Sequence, residues 1–385
     1  LGVQDVSSSY QITCALLTDT RVRCWGDNTW GQIGQDPTSG SSFASPTPIT
    51  QLDGKNVKSL TTFYGGACVV EGDGTVWCWG DNIGGNLGPS VIVDASGSQV
   101  PHKDPVQITG LSGATAVFDG SGGRVCALLA GGTAKCWGGN YHGSLGIGST
   151  TDSIVTTPTS LCAPGTSGTA CTPATGITQI VQGDDHGCGI FGGGQVACWG
   201  DNGYGVLGIA DDGGVHPNPV EIPGLKAVAL AAGAGITCAA TTDGATLCWG
   251  RNSSDGRLGI GVGSDSNVTT PMPVCTKQDC STKITGSTDV STYDESTCGL
   301  AGGAVRCWGS NSNGQLGDGT TSSAQNYAAT TTIGSNAVAV RSGGGSNFAI
   351  VQDGAERVLE CWGNGPCGRG LDAGAGSNVP VSPKW

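Results

Sequence analysis

Charge is scarce in this chain: Lys, Arg, Asp and Glu together make up 12 % of its 385 residues. Basic residues are the rarer kind, 17 against 30 acidic, for a formal net charge of −13 at pH 7. No Lys/Arg cluster occurs, so the basic footprint that neutralises phosphates is missing. Nucleic acid and anionic membrane surfaces are thereby disfavoured as partners. Long apolar runs are missing as well, so no membrane-spanning helix is expected. Helix-period apolar patterns are hard to find, which speaks against helical layers. Histidine occurs four times, as His102, His142, His186 and His216. Neither a Gly-x-Ser-x-Gly elbow nor a His-Glu-x-x-His helix accompanies them.

What is abundant is glycine, with 70 residues, and cysteine, with 18. The cysteines are ordered by an internal repeat. Cys-Trp-Gly falls at Cys24-Trp25-Gly26, Cys78-Trp79-Gly80, Cys136-Trp137-Gly138, Cys198-Trp199-Gly200, Cys248-Trp249-Gly250, Cys307-Trp308-Gly309 and Cys361-Trp362-Gly363. Repeats spread from end to end override the two or three domains that length alone would suggest. One assembly spanning 1–385 is expected, divided approximately as 1–56, 57–113, 114–177, 178–226, 227–285, 286–336 and 337–385.

The stretch from Cys68 to Gly88 shows what one repeat dictates. Two β-branched or aromatic runs, Val69-Val70 and Thr75-Val76-Trp77, flank Gly72-Asp73-Gly74, the signature of a hairpin. A three-residue loop with Gly74 at positive φ sets Glu71 opposite Thr75 and hence Cys68 opposite Cys78. The same spacing recurs at Cys14/Cys24, Cys126/Cys136, Cys188/Cys198 and Cys238/Cys248. Cys298 and Cys307 are one residue closer, and there Gly302-Gly303 suits a two-residue loop that again opposes the cysteines. Opposed residues of an antiparallel pair lie roughly 4.5–5.5 Å apart, within disulfide reach. A zinc site would instead gather closely spaced ligands at one point, so disulfides are expected and metal is not. Each such bridge closes a loop of about ten residues, on the order of 2–3 kcal/mol in the chain-entropy account.

After each signature comes Asn-containing punctuation and, in most copies, Leu-Gly: a compact turn returning an apolar residue to the core. The signature tryptophans are expected to pack between adjacent units. Longer connections run from Thr38 to Pro48, Pro89 to Ile108, Ser149 to Gly176, Ala210 to Pro219 and Gly261 to Ile284. Two of them carry their own cysteine pairs, Cys162/Cys171 and Cys275/Cys280, read as self-stapled loops. In the seventh copy Phe348 takes the first cysteine position, which leaves Cys361 to pair with Cys367 by elimination. The tail at Asn378-Val379-Pro380-Val381 is similar to the Pro-Val strands after other repeats and could complete the sheet that the N-terminus begins.

Cys-Ala-Leu, Asp-Gly, Val-x-Cys-Trp-Gly-x-Asn and Gly-Gln-Leu-Gly, at roughly 55-residue intervals, resemble the regulator of chromosome condensation repeat family. The resemblance spans the chain and implies an all-β, seven-bladed propeller of four-stranded antiparallel blades, closed by strands from both termini, here with disulfides inside the blades. Members of this family range from a nuclear exchange factor to a plant ultraviolet receptor and a secreted bacterial inhibitor. Acidic charge and paired cysteines fit the nuclear role badly, and the photoreceptor's Gly-Trp-Arg-His-Thr motif is absent. The exported, cysteine-bearing bacterial type remains the best match.

Eighteen cysteines point to an oxidising compartment, outside the cell or at its surface, and to an export signal already removed. The expected function is non-catalytic protein–protein contact: self-assembly, adhesion or inhibition of another protein. The inter-blade loops of one face would supply it, with Phe43, Val91, Ile92, Tyr204 and Tyr327 as candidate contacts. Glycan binding is the alternative, and an extracellular hydrolase a further one if two or more of His142, Asp184, Asp185 and His186 converge in one pocket. No cofactor is implied. Asp211-Asp212 lacks the ligand spacing of a calcium loop. Asn267-Val268-Thr269 is a glycosylation sequon, and Asn252-Ser253-Ser254 also matches but sits in a repeat turn.

Overall fold

The computed structural model describes residues 2–10, 12–89, 101–120, 123–166, 171–210, 213–261, 266–321, 324–365, 367 and 377–383. Apart from four three-residue 3-10 turns, their regular structure is all strand. β1 (Val3–Ser8), β2 (Ile12–Leu17), β3 (Val22–Asp27) and β4 (Ser42–Pro48) form a first antiparallel sheet in chain order. β5 (Ser59–Phe63), β6 (Gly66–Val70), β7 (Val76–Gly80) and β8 (His102–Gln107) form the next. β9 (Ala114–Gly120), β10 (Arg124–Leu129), β11 (Thr133–Gly139) and β12 (Ile154–Ser160) follow.

A seven-stranded sheet comes after them. It holds β13 (Gln179–Gln182), β14 (His186–Phe191), β15 (Gln195–Asp201), β16 (Val215–Gly233), β17 (Ile236–Thr241), β18 (Thr246–Gly250) and β19 (Val268–Pro273). The 19-residue β16 pairs with β15 as far as Lys226 and with β17 from Ala227 onward. Four strands per sheet is therefore not uniform, because the link between these two repeats is too short to interrupt the strand. β20 (Ser287–Tyr293), β21 (Ser296–Ala301), β22 (Ala304–Gly309) and β23 (Gln325–Thr330) form another four-stranded sheet. β24 (Ala337–Gly343), β25 (Ser346–Asp353), β26 (Glu356–Gly363) and β27 (Ser377–Val381) form the last.

The sheets are arranged in a ring. β1 packs on β5, β5 on β9, β9 on β13, β13 on β16, β16 on β20, β20 on β24, and β24 back on β1. The expectation that terminal strands share a sheet is corrected here: β1 lies in the first sheet and β27 in the last. The first repeat already contains four strands of its own, so the tail has no place to fill in it. Closure comes instead from side chains, with Val3, Val6 and Trp25 sharing a buried cluster with Phe348, Ile350 and Leu359.

The hairpins explain the signature. Gly74 sits at φ 83° and the Glu71 amide donates to the Thr75 carbonyl at 2.9 Å, which brings Cys68 opposite Cys78. Six such pairs are joined, with Cα atoms 4.0–4.1 Å apart. Cys162–Cys171, Cys275–Cys280 and Cys361–Cys367 are also bonded, and Phe348 faces Cys361. Beyond each Cys-Trp the register shifts, and the signature glycine takes up a positive φ there, 105° at Gly80. A Cβ at Gly80 would stand 2.3 Å from the Gly65 carbonyl oxygen, so only glycine fits this bulge.

The seven signature tryptophans are fully buried. Most reach back to the preceding repeat: the indole N–H of Trp79 donates to Gln32 O, Trp137 to Asn86 O, Trp199 to Ser144 O, Trp249 to Val206 O and Trp362 to Gln315 O, at 2.8–2.9 Å. The accepting carbonyls lie in the turns after the signature. Those turns are held by their Asn: Asn82 Oδ1 accepts from Leu87 N at 2.9 Å, and Asn28, Asn140, Asn202 and Asn311 repeat the bond.

Candidate binding site at the mouth of the axial channel

The inner strands leave an axial channel whose wall is polar. Residues 5–8, 59–61, 116–119, 179–182, 230–232, 289–292 and 341–342 line a cavity of about 370 Å³. Their side chains bond several inner strands to their neighbours. Ser59 Oγ accepts from Val117 N at 3.2 Å, Gln179 Oε1 from Leu230 N at 2.9 Å, and Asp289 Oδ2 from Val340 N at 3.1 Å. At the ring's seam Arg341 bridges Asp5 at 3.2 Å and Asp289 at 2.9 Å. Burial opposes the Arg341 charge, but the two carboxylates hold its pKa above the ordinary value.

Where the inner strands end, the channel opens into a larger mouth of about 490 Å³. Tyr10 and Tyr64 stand on its rim, stacked with ring centroids 5.5 Å apart and planes 15° from parallel. They are 57 % and 46 % exposed, a large solvated aromatic area at one place. Asp119, Asp184, Tyr293 and Asp294 line the same opening. Burial raises the Tyr293 pKa, and the charges of Asp294, Asp184 and Asp119 raise it further. Asp119 is itself pushed up to about 6 by burial, although the Thr61 hydroxyl donates to it at 2.8 Å.

Two guanidiniums stand near the mouth, and both are engaged. Arg124, fully buried, donates to Ser144 Oγ at 3.1 Å and to the carbonyls of Gly183 and Asp184; burial lowers its pKa to about 10. Arg257 donates to Ala234 O and pairs with Asp255 and, at 3.5 Å, with Glu295.

The residues expected to make contacts are not gathered here. Phe43 is corrected from an exposed contact to a half-buried one: it lies opposite Gly26, which leaves room for its ring to pack onto the first core cluster. Tyr327 is half-buried on β23. Tyr204 is 46 % exposed, with Arg251 over its ring at 5.4 Å. Val91 and Ile92 fall outside the described residues, as do Asp211 and Asp212. The insertions do not share one face either. Strand alternation puts the turns after inner strands and the loops before outer strands at the mouth end, whereas the Cys162–Cys171 and Cys275–Cys280 loops follow the outer strands β12 and β19 and lie at the other end.

The hydrolase candidates divide three ways. Asp184 lines the mouth, Asp185 faces His142 at 3.7 Å, and His186 is buried. His186 Nε2 lies 2.9 Å from Thr237 Oγ1, whose proton goes to Val206 O, so the ring carries its hydrogen on Nε2. Burial, aided by Arg124, pushes its pKa down to about 3. Among the described residues, no group of three or more His, Cys, Asp or Glu side chains could hold a metal ion. No helix among them is long and apolar enough to cross a membrane. Asn252 is buried, whereas Asn267 is exposed.

Models of the regulator of chromosome condensation (RCC1) repeat match residues 3–32 and 177–206, and a second model of that repeat matches residues 193–240. The chain thus carries repeats similar to those of the regulator of chromosome condensation family. Human E3 ubiquitin-protein ligase HERC2 is 28 % identical over 332 residues, which are 82 % of this chain and 6 % of that protein. The ultraviolet-B receptor UVR8 of Arabidopsis thaliana is 27 % identical over 67 % of this chain and 56 % of its own length. The chain thus spans a small part of the one and about half of the other. Among solved structures, yeast RCC1 (Prp20) bound to Kap60 is similar with a TM-score of 0.75, covering 100 % of this chain and 85 % of its own at 18 % identity. Human WBSCR16 has a TM-score of 0.74, covering 95 % and 94 % at 19 % identity. These likenesses show the RCC1-type propeller fold.

The sequence reading missed Tyr10, Tyr64 and Asp294, although a signal was present. Tyr10, Tyr64, Asp184, Ala234 and Asp294 all stand four residues before the first cysteine of their repeat. Comparing that position across copies would have singled out a turn site occupied by tyrosine and aspartate.

Proposed function

We propose that this chain is a non-catalytic, protein-binding propeller of seven blades, with β16 shared by the fourth and fifth and with the repeat divisions given above. Nine disulfides support an exported, extracellular or cell-surface setting. The observation that carries the binding role is the Tyr10–Tyr64 stack on the rim of the axial mouth: exposed aromatic area beside a concave opening is the usual anchor of a recognition surface. Solved relatives include RCC1-type propellers studied with Kap60, Gsp1p and histones, which favours a protein as the partner here. Asp185 and His142 meet at 3.7 Å, but both side chains are exposed and outside the mouth that Asp184 lines, and His186 is buried, which supports a non-catalytic reading.

The test is affinity capture from the surface fraction and medium of the source, using the wild-type chain and a Tyr10→Ala/Tyr64→Ala variant. Specific proteins, or further copies of the chain, held by the wild type and lost with the variant are the expected result. An identical set of captured proteins, or capture of glycan alone, would overturn the proposal.

A further inference from the structure

The mouth is rich in acceptors and negative charge. Two of its hydroxyls spend their protons inside the protein, Ser9 Oγ donating to Phe63 O at 2.7 Å and Thr292 Oγ1 to Ser296 O at 3.2 Å, while Ser342 Oγ has no hydrogen-bond partner. Gln182 lines the opening at 6 % exposure, its Nε2 engaged with Cys126 Sγ, while its Oε1 is an acceptor with no hydrogen-bond partner. That oxygen is enclosed in the wall beside Gly120, where it adds negative potential without itself facing solvent. Around it stand the carboxylates of Asp119, Asp184 and Asp294, all within electrostatic reach of the Tyr293 ring. The nearby cations, Arg124 and Arg257, already bond carbonyls and carboxylates through their terminal nitrogens, with the Arg124 Nε enclosed and without a partner. What faces an incoming group is therefore mainly tyrosine π surface and negative charge.

We infer that the mouth receives a cationic side chain, an arginine of the partner, with its guanidinium against the tyrosines and in the field of the aspartates. This rests on the protein-binding reading above and names the partner's chemistry. A guanidinium answers each feature: it stacks on aromatic faces, stays charged, and presents five donors to acceptors around its plane. An ammonium would gain the charge term without the planar stack. A cavity of about 490 Å³ holds such a side chain with its flanking backbone. The chain's net charge of −13 adds long-range attraction for a basic partner.

The probe is a fluorescently labelled Gly-Gly-Arg-Gly-Gly peptide titrated by anisotropy against its citrulline counterpart, which keeps the shape and loses the charge. The arginine peptide is expected to bind at least about tenfold more tightly. Tyr10→Ala/Tyr64→Ala and, separately, Asp184→Asn/Asp294→Asn should each weaken it by a similar factor. Asp294 occupies a left-handed turn at φ 52°, a conformation asparagine also tolerates, so the second variant keeps the fold. Asp53→Asn/Asp353→Asn removes the same charge at the opposite end and should leave binding unchanged. Equal binding of both peptides, no binding, or equal weakening by the remote variant would overturn the inference. Should the peptide fail while partner capture still depends on Tyr10 and Tyr64, this inference falls and the protein-binding proposal stands; should both fail, neither stands.

Discussion

Single residues in this fold carry obligations that their type alone can meet. Gly80 must hold a positive φ against the Gly65 carbonyl, and Asn82 must close its turn onto the Leu87 amide. Gly80→Ala is expected to cost at least about 2 kcal/mol through backbone strain and clash. Asn82→Ala should cost about 1 kcal/mol for one lost bond. Chemical denaturation measures both, and equal costs would contradict the distinction. His186 and Asp119 titrate with opposite signs. Neutral and buried in the folded chain, His186 takes up a proton on unfolding, so its contribution is complete above pH 6.5 and is lost as pH falls toward 3. Asp119 keeps its proton longer when folded, so its contribution is present below about pH 4 and is lost as pH rises through about 6. Between pH 4 and 6 the two slopes, each up to about 1.4 kcal/mol per pH unit, oppose one another. Asp119→Asn should therefore expose a loss of stability on acidification across that window, and His186→Gln a gain, by denaturation at stepped pH. Parallel shifts in both variants would refute the pairing.

At the scale of elements, the hairpin and the inner strand contribute differently, and the sequence revealed them unequally. The hairpin was legible because its rules are local: turn length sets register, as Ala301 opposite Ala304 across Gly302-Gly303 shows. Replacing Cys68 and Cys78 together by alanine should lower stability by about 2–3 kcal/mol, read from denaturation of the oxidised chain. The inner strands were not legible as a channel, because their polar residues bond to neighbouring repeats some fifty positions away. Gln179, bonded both ways to Leu230, is one such residue, and alone it reads as an ordinary strand glutamine. Gln179→Ala leaves a backbone donor and acceptor without partners, an expected loss of about 1–3 kcal/mol. A neutral result by denaturation would remove these inter-strand bonds from the account of the ring.

For the whole molecule, repetition made the ring readable and function hard to read. The same Trp-to-carbonyl contact recurs between repeats, so equivalence of units follows from the signature, whereas a binding site depends on where equivalence is broken. Phe43 shows how exposure escapes a sequence reading: the glycine opposite it admits an aromatic ring to the core. Closure was misread for a related reason. The tail resembles an outer strand and is one, but it belongs to the last sheet, and the seam with β1 is sealed by Arg341 and apolar packing. The mouth exists only because the inner strands end together, bringing Tyr10, Tyr64, Asp119, Asp184 and Asp294 to one opening from five positions along the chain. The most direct measurement of its role is displacement: a protein captured by the wild-type chain is challenged with free arginine pentapeptide or with the citrulline form. Release by the arginine peptide alone is the expected result, and retention of the partner against both would contradict the axial mouth as its docking site.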